Sequence, residues 1–321
     1  MKFVGQIAVA LLAGCSFTAA FGADPYPVKP VRMIVGFAPG GGTDLTARPV
    51  AQKLSELLGQ QVIVENRPGA AGNVATEQVA KSAPDGYTLL MGTIAALAIN
   101  PSLYGNLRFD PETDLAPVIQ VVDATNVLAL HPSVPASSVK ELIALAREKS
   151  LLAGSSGIGA TGHLAIELFN LMAGVKLVHV PYKGGGPAMA DLVGGQVNLI
   201  FATTASAIPH LKSGRIKGIA VTTAKRSALL PDLPTVSEAG LEGFDANNWY
   251  GLVVPAKTPR AIIDQLNAEV SKVLAMPDVK TTLFNQGLDP APGTPEQFGA
   301  YIKSERAKWA KVIKESGAKP E

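Results

Sequence analysis

Three glycine-rich turns carry the residues best suited to chemistry in this chain, and the chemistry they suit is the holding of a small anion. The first is Phe37-Ala38-Pro39-Gly40-Gly41-Gly42-Thr43-Asp44, between an apolar run, Val31 to Val35, and a helical pattern from about Leu45. Consecutive glycines let backbone N–H groups come close to a ligand, and a helix N-terminus behind them adds unpaired donors and a partial positive charge. The same residues also read as a plain strand-to-helix turn with Thr43 or Asp44 as its N-cap. A second turn, Ser155-Ser156-Gly157-Ile158-Gly159, again follows a short apolar run and precedes a helical pattern. Two such cradles facing each other predict a cleft between two lobes.

The third turn is Tyr182-Lys183-Gly184-Gly185-Gly186-Pro187, with Asp191 about one turn inside the helix that follows. Asp191 is either a ligand or water contact or a solvated helical aspartate. His163 follows the second cradle in the first turn of its helix and reads equally as a site residue or a packing histidine. Thr93 ends an apolar strand pattern, where open α/β sheets place ligand-binding side chains. Thr161 and the Ser155 and Ser156 hydroxyls add donors to the second cradle. Phe37, Ile94 to Ala96, Thr203 to Ser206 and Asn247 to Trp249 are expected at the far end of a ligand; they carry few charges, which favours a ligand with an uncharged distal part.

Other chemistries fit less well. Gly157-Ile158-Gly159-Ala160-Thr161-Gly162 matches the dinucleotide fingerprint, but the next strand ends in Pro181-Tyr182-Lys183, with no acid for the ribose hydroxyls. The four histidines, His131, His163, His179 and His210, form no metal-ligand spacing, so no metal or cofactor is expected. No G-x-S-x-G elbow occurs. For a secreted enzyme acting on a carboxylate, His163 with Asp191 is the one acid–base pair on offer.

The elements that must position these turns follow a βαβ rhythm. Strands are predicted at Val31 to Val35, Val62 to Glu65 and Thr88 to Gly92, with helices at Leu45 to Leu58 and Val74 to Ser82. A second series has strands at Val127 to Leu130, Leu151 to Ala153, Leu177 to Val180, Val197 to Ala202 and Ile216 to Thr222. Its helices are Val139 to Arg147, Thr161 to Met172 and Pro187 to Val193. The tail is helical, with Thr258-Pro259 and Thr294-Pro295 each read as an N-cap followed by proline, and Gln297 completing a capping box with Thr294. Val118 to Ala124 and Trp249 to Val254 read as two crossings between lobes. The domains expected are 23–123 with 249–321, and 124–248.

The chain has 321 residues, 47% hydrophobic and 17% charged, with a net charge of +2. That is a well-buried α/β composition, and the interspersed charges lack the basic stripe of a nucleic-acid binder. Residues 1–22 read as a signal peptide: Lys2, an apolar stretch from Ile7 to Ala13, then small residues from Ala19. Leu12-Ala13-Gly14-Cys15 competes as a lipobox that would anchor the protein through Cys15, the only cysteine.

Many motifs, in order along the chain, resemble one family. They include Tyr26-Pro27, Lys29-Pro30-Val31-Arg32, the first cradle, Glu65-Asn66-Arg67-Pro68-Gly69-Ala70 with Gly72, and Pro84-Asp85-Gly86-Tyr87-Thr88-Leu89. Asn100-Pro101-Ser102-Leu103-Tyr104, Val180-Pro181-Tyr182-Lys183-Gly184, Leu233-Pro234-Thr235 and Gly251-Leu252 to Pro255 continue the series. Together they resemble the Bug receptors, the extracytoplasmic solute-binding proteins of tripartite tricarboxylate transporters. The resemblance implies a two-lobed Venus-flytrap fold that binds small carboxylates, such as di- and tricarboxylates, amino acids or aromatic acids. The expected protein is a periplasmic monomer without catalysis that serves transmembrane permease subunits, with a sensor for a membrane kinase as an alternative. It also implies that a ligand carboxylate is gripped by backbone amides and waters between Ala38 to Thr43 and Ser155 to Gly159, with Asp191 touching those waters or the ligand. This chain departs at Ala160, where the family often has serine.

Overall fold

The computed structural model describes residues 26–320; the expected signal peptide and Cys15 lie outside the described residues. The first lobe begins with β1 (Val31–Val35), α1 (Gly42–Leu58), β2 (Val62–Asn66), α2 (Asn73–Ala80) and β3 (Thr88–Thr93). A π-helical turn over Ala95–Ile99 and the short α3 (Asn100–Leu103) lead to β4 (Leu115–Ala124). After a single residue, Thr125, β5 (Asn126–Leu130) opens a second sheet.

The second lobe continues with α4 (Val139–Glu148), β6 (Leu152–Ser155), α5 (Thr161–Ala173), β7 (Val178–Pro181) and α6 (Gly185–Val193). It closes with β8 (Leu199–Thr203), α7 (Thr204–Lys212) and β9 (Lys217–Val221). β10 (Asn248–Pro255) then returns to the first sheet, followed by α8 (Arg260–Ala275), α9 (Pro277–Phe284), β11 (Leu288–Pro290) and α10 (Pro295–Ser316).

The six-stranded sheet has the order β11-β4-β10-β3-β1-β2 and the five-stranded sheet β7-β6-β8-β5-β9. Both are mixed. β1 runs parallel to β2 and β3, and β6 parallel to β7 and β8, as βαβ units require. β10 is antiparallel to β3 and β4, and β5 antiparallel to β8 and β9. The cause is topological: β5 and β10 enter their sheets from the opposite lobe, without a crossover helix.

Alternation along β1 shows how the first lobe is filled. Val31, Met33 and Val35 pack against α1 and α8 through Val50, Leu54, Leu266 and Val270, while Ile34 faces Val79, Trp249 and Phe298. Both faces of the sheet are therefore covered, as a βαβ sheet demands.

One capping expectation changes and one holds. Thr258 does not cap α8: its hydroxyl donates to Pro255 O at 2.7 Å, and Pro259 takes the N-cap position. Thr294 does cap α10, accepting from Gln297 N–H at 3.2 Å while Gln297 Oε1 accepts from Thr294 N–H at 2.8 Å. α7 has no counterpart in the sequence reading, because it starts directly on the end of β8 and contains Pro209.

Candidate functional site

The C-terminal ends of β1, β3, β6 and β8 meet around a cavity of about 50 Å3 between the two sheets. A buried water needs roughly 10 to 15 Å3 on this measure, so the space holds roughly four water-sized groups. Phe37, Gly41, Gly42 and Thr43 form one wall with Thr93, Ile94 and Ala95; Ser155, Ser156, Thr161, Thr203 and Ser206 form the other. Asn126, Asn248, Tyr250, Gly185 and Phe201 complete it. Among the described residues, no charged side chain lines this cavity.

Four helices begin on it. Gly42 and Thr43 open α1, Thr161 and Gly162 open α5, Gly185 opens α6, and Thr203 precedes α7. None of the four has a side-chain N-cap bond. The first helical bonds of α1 and α5 are Leu45 N–H to Gly41 O and Leu164 N–H to Ala160 O, which leaves the amides before them without a helical partner. The cavity is thus ringed by N–H groups and positive dipole ends, the electrostatics of an anion site without a cation.

Several expected site residues support the wall from behind. Asp44 is 2% exposed and accepts from Gly40 N–H (3.1 Å), from Arg48 (2.8 and 3.0 Å) and from Asn66 Nδ2 (2.9 Å). Burial opposes its charge, but these donors outweigh burial and hold the carboxyl below its ordinary value. Asp44 is therefore a brace for the first cradle, and its acceptors leave no N-cap role. Asn66 Nδ2 also donates to Phe37 O at 2.9 Å.

Ala38 N–H is taken by Lys183 O at 3.1 Å, a bond between lobes, and Gly184 and Gly186 pack against Ala38 and Pro39. Gly159 N–H donates to His163 Nδ1 at 3.1 Å. Gly157 lies outside this cavity and instead lines a larger one of about 360 Å3, which shares Phe37 and Ser156 with the first and includes Tyr104, Tyr182 and Lys183.

Asp191 does not line the cavity; its Oδ2 accepts from Tyr182 O–H at 2.7 Å. His163 faces Gly159 on one side and Glu167 on the other, at 3.7 Å. The acid–base pair imagined for an enzyme is accordingly engaged with other partners.

The sequence reading overlooked His179, Asn126 and Tyr250. His163 and His179 stack at 4.2 Å between centroids. Burial holds His163 down to about 4, and burial with the neighbouring imidazole holds His179 down to about 3. His179 Nε2 lies 2.6 Å from Ser155 Oγ, which also accepts from Gly157 N–H at 3.1 Å. An imidazole this weakly basic is a poor general base near neutral pH; it is well suited to fixing the Ser155 rotamer. Tyr250, pushed up to about 12 by burial, receives Asn248 Nδ2 at 3.1 Å, with the Thr43 and Thr203 hydroxyls beside it. β5 and β10 place Asn126 and Tyr250 here by entering their sheets at the lobe junction, a placement visible only once the strands are ordered.

A two-lobed mixed α/β fold with a small, uncharged, donor-lined cavity between its lobes is the architecture of a solute-binding protein. The chain matches the family model "Tripartite tricarboxylate transporter family receptor" over residues 46–318, and it belongs to that family. It is 38% identical to protein BugT of Bordetella pertussis over 311 residues, covering 96% of this chain and 95% of the relative. Among solved structures it resembles Rpa4515 of R. palustris with adipate, at 39% identity and a TM-score of 0.89, over 91% of this chain and 98% of that one. MatC from Rhodopseudomonas palustris with bound malate is 32% identical, with a TM-score of 0.86, over 90% of this chain and 100% of that one. Among the described residues, no helix is long and apolar enough to cross a membrane.

Proposed function

We propose that this chain is a periplasmic receptor that captures a small organic carboxylate between its lobes and presents it, unchanged, to the permease of a tripartite tricarboxylate-type transporter. The observation that carries this reading is the convergence of four helix N-termini without side-chain caps on a cavity without charged side chains. At about 0.3 to 2 kcal/mol each, four termini supply several of the roughly 8 kcal/mol of a micromolar complex. Charge-assisted hydrogen bonds from the free amides add roughly 1.5 to 3 kcal/mol each. The adipate and malate bound by two relatives are ligands of this kind.

In this reading residues 23–123 with 249–321 form one lobe and 124–248 the other, and the ligand is held where the first and second cradles face each other. Residues 1–22 direct export and are removed, leaving a soluble monomer. Gly41, Gly42, Thr43, Ser155, Ser156 and Thr161 contact the carboxylate or its waters, while Asp44, Gly159 and His163 hold those groups in place.

The deciding experiment is a thermal-shift screen of residues 23–321, freed of co-purified ligand, against mono-, di- and tricarboxylates, amino acids and aromatic acids. A ligand at a hundred times its dissociation constant adds about 2.7 kcal/mol, a rise of roughly 5 °C or more. Hits confined to carboxylates, with the ligand recovered unchanged, support the receptor. Silence across the panel removes the carboxylate reading, and conversion of the ligand removes the non-catalytic one.

A further inference from the structure

Among the described residues, the cavity wall contains one buried side-chain polar atom that the protein itself leaves unmet. Asn126 is 1% exposed and lines the cavity at the start of β5. Its Nδ2 reaches Thr161 Oγ1 at 3.5 Å, and its Oδ1 has no hydrogen-bond partner. Among the described cavity-lining residues, no other buried side-chain oxygen or nitrogen is left so. The surrounding polar groups are engaged with one another: Asn248 with Tyr250, Thr203 with Ser206, and Ser155 with His179. A buried acceptor without a donor is costly, and this one faces a cavity in which a ligand can supply the donor.

We infer that Asn126 is a specificity residue whose Oδ1 accepts a hydrogen bond from a hydroxyl on the ligand, so that the receptor favours a hydroxycarboxylate over its deoxy analogue. This rests on the carboxylate reading above and names the substrate class within it. The donor is a hydroxyl rather than an ammonium for an electrostatic reason. No carboxylate side chain lines the cavity to pair with a cation, and four helix N-termini direct their positive ends at it. An ammonium would be buried against that field, whereas a neutral O–H meets an acceptor at no charge cost. A site built to bond a hydroxyl also rejects the analogue that lacks it, because its own acceptor is then left unmet.

The test is calorimetric titration of the ligand-free protein with matched pairs: lactate and propionate, malate and succinate, 3-hydroxybutyrate and butyrate. For the pair that fits the cavity, the hydroxylated member is expected to bind at least about tenfold more tightly. Asn126→Leu, which keeps the side chain's size, should bring the two members within about twofold of each other. Equal binding of the members of every pair by the wild-type protein overturns the inference, and so does discrimination that persists in the variant. The wild-type comparison decides the matter even if Asn126→Leu fails to fold. Binding of carboxylates without hydroxyl preference leaves the receptor reading standing and overturns this inference alone. No binding by any of the six acids also overturns this inference, whereas the receptor reading falls only on silence across the wider thermal-shift panel.

Discussion

The stacked imidazoles of His163 and His179 give the second cradle a pH dependence whose sign follows from their burial. In the unfolded chain both titrate near 6.5, but in the folded protein they take protons only at about 4 and about 3. Between those values the unfolded chain holds more protons than the folded one, so stability is complete above about pH 6.5 and falls as pH drops below it. His210, lowered by burial and by Arg215, adds in the same direction. Each group contributes at most about 1.4 kcal/mol per pH unit. His163→Asn keeps an acceptor for Gly159 N–H and removes one titrating group; its thermal stability between pH 7.5 and 5 should fall less steeply than that of the wild type, and an unchanged slope would assign the loss to other residues. Gly42 is the second residue where a small change has a defined result. A Cβ there would sit 2.6 Å from both Thr203 Oγ1 and Tyr250 O–H. Overpacking of this kind costs roughly 1 to 3 kcal/mol, and Thr203 belongs to the opposite lobe, so part of the cost arises only when the lobes meet. Gly42→Ala is expected to weaken carboxylate binding on the order of ten- to a hundredfold, measured by calorimetry. Wild-type affinity in the variant would mean that the cradle yields without harm.

At the scale of elements, helix N-termini are treated in two ways. α4 and α10 cap theirs with Ser138 and with the Thr294–Gln297 box, whereas α1, α5, α6 and α7 begin on the cavity without a side-chain cap, as α2, α8 and α9 do away from it. The first amide of α7, Thr204 N–H, donates to Thr125 O at 2.9 Å. Thr294→Ala should therefore lower stability by about 0.5 to 2 kcal/mol in denaturant titration and leave carboxylate affinity unchanged. A change in affinity would mean that the tail helix is coupled to the cavity. The contrast explains what the sequence discloses and what it withholds. Glycine turns next to β-rich runs announce α1, α5 and α6, because local backbone freedom and apolar runs are local signals, and strand β1 falls where its valines place it. The box at Thr294 is legible for the same reason. α7 is not, since Thr204-Thr203 and Pro209 give no start signal, and the strand before it supplies its geometry. Asn126, Tyr250 and the Asn66 brace of Asp44 are invisible along the chain: each reaches the cavity or its support through a sheet neighbour far away in sequence. The three turns named the region, but the assignment of amides inside it, such as Ala38 N–H to Lys183 O, depends on how the lobes meet.

At the scale of the whole molecule, contacts between the lobes outside the donor-ringed cavity are expected to bear on affinity. The lobes join at Thr125, between β4 and β5, and again where the chain enters β10. On the far side of the cavity, bonds form that the separated lobes could not make: Ala38 N–H to Lys183 O at 3.1 Å and Tyr104 O–H to Ile158 O at 3.0 Å. Tyr104 follows α3 in the first lobe and Ile158 belongs to the second cradle; neither lines the 50 Å3 donor-ringed cavity, though both line the larger one beside it. The contact therefore acts on affinity through the population of the closed form, since a ligand that needs both cradles binds in proportion to the fraction of molecules competent to close. A net hydrogen bond is worth about 0.5 to 1.5 kcal/mol, which converts to roughly two- to twelvefold in that population. Tyr104→Phe keeps the ring and removes the O–H, so its carboxylate affinity should drop within that range. Small-angle scattering should show the variant less compact than the wild type at equal, subsaturating ligand, with the two converging at saturation because the ligand sites are the same. Unchanged affinity would mean that this bond is present in the open form as well, and would move the control of closure to the Ala38–Lys183 side of the cleft.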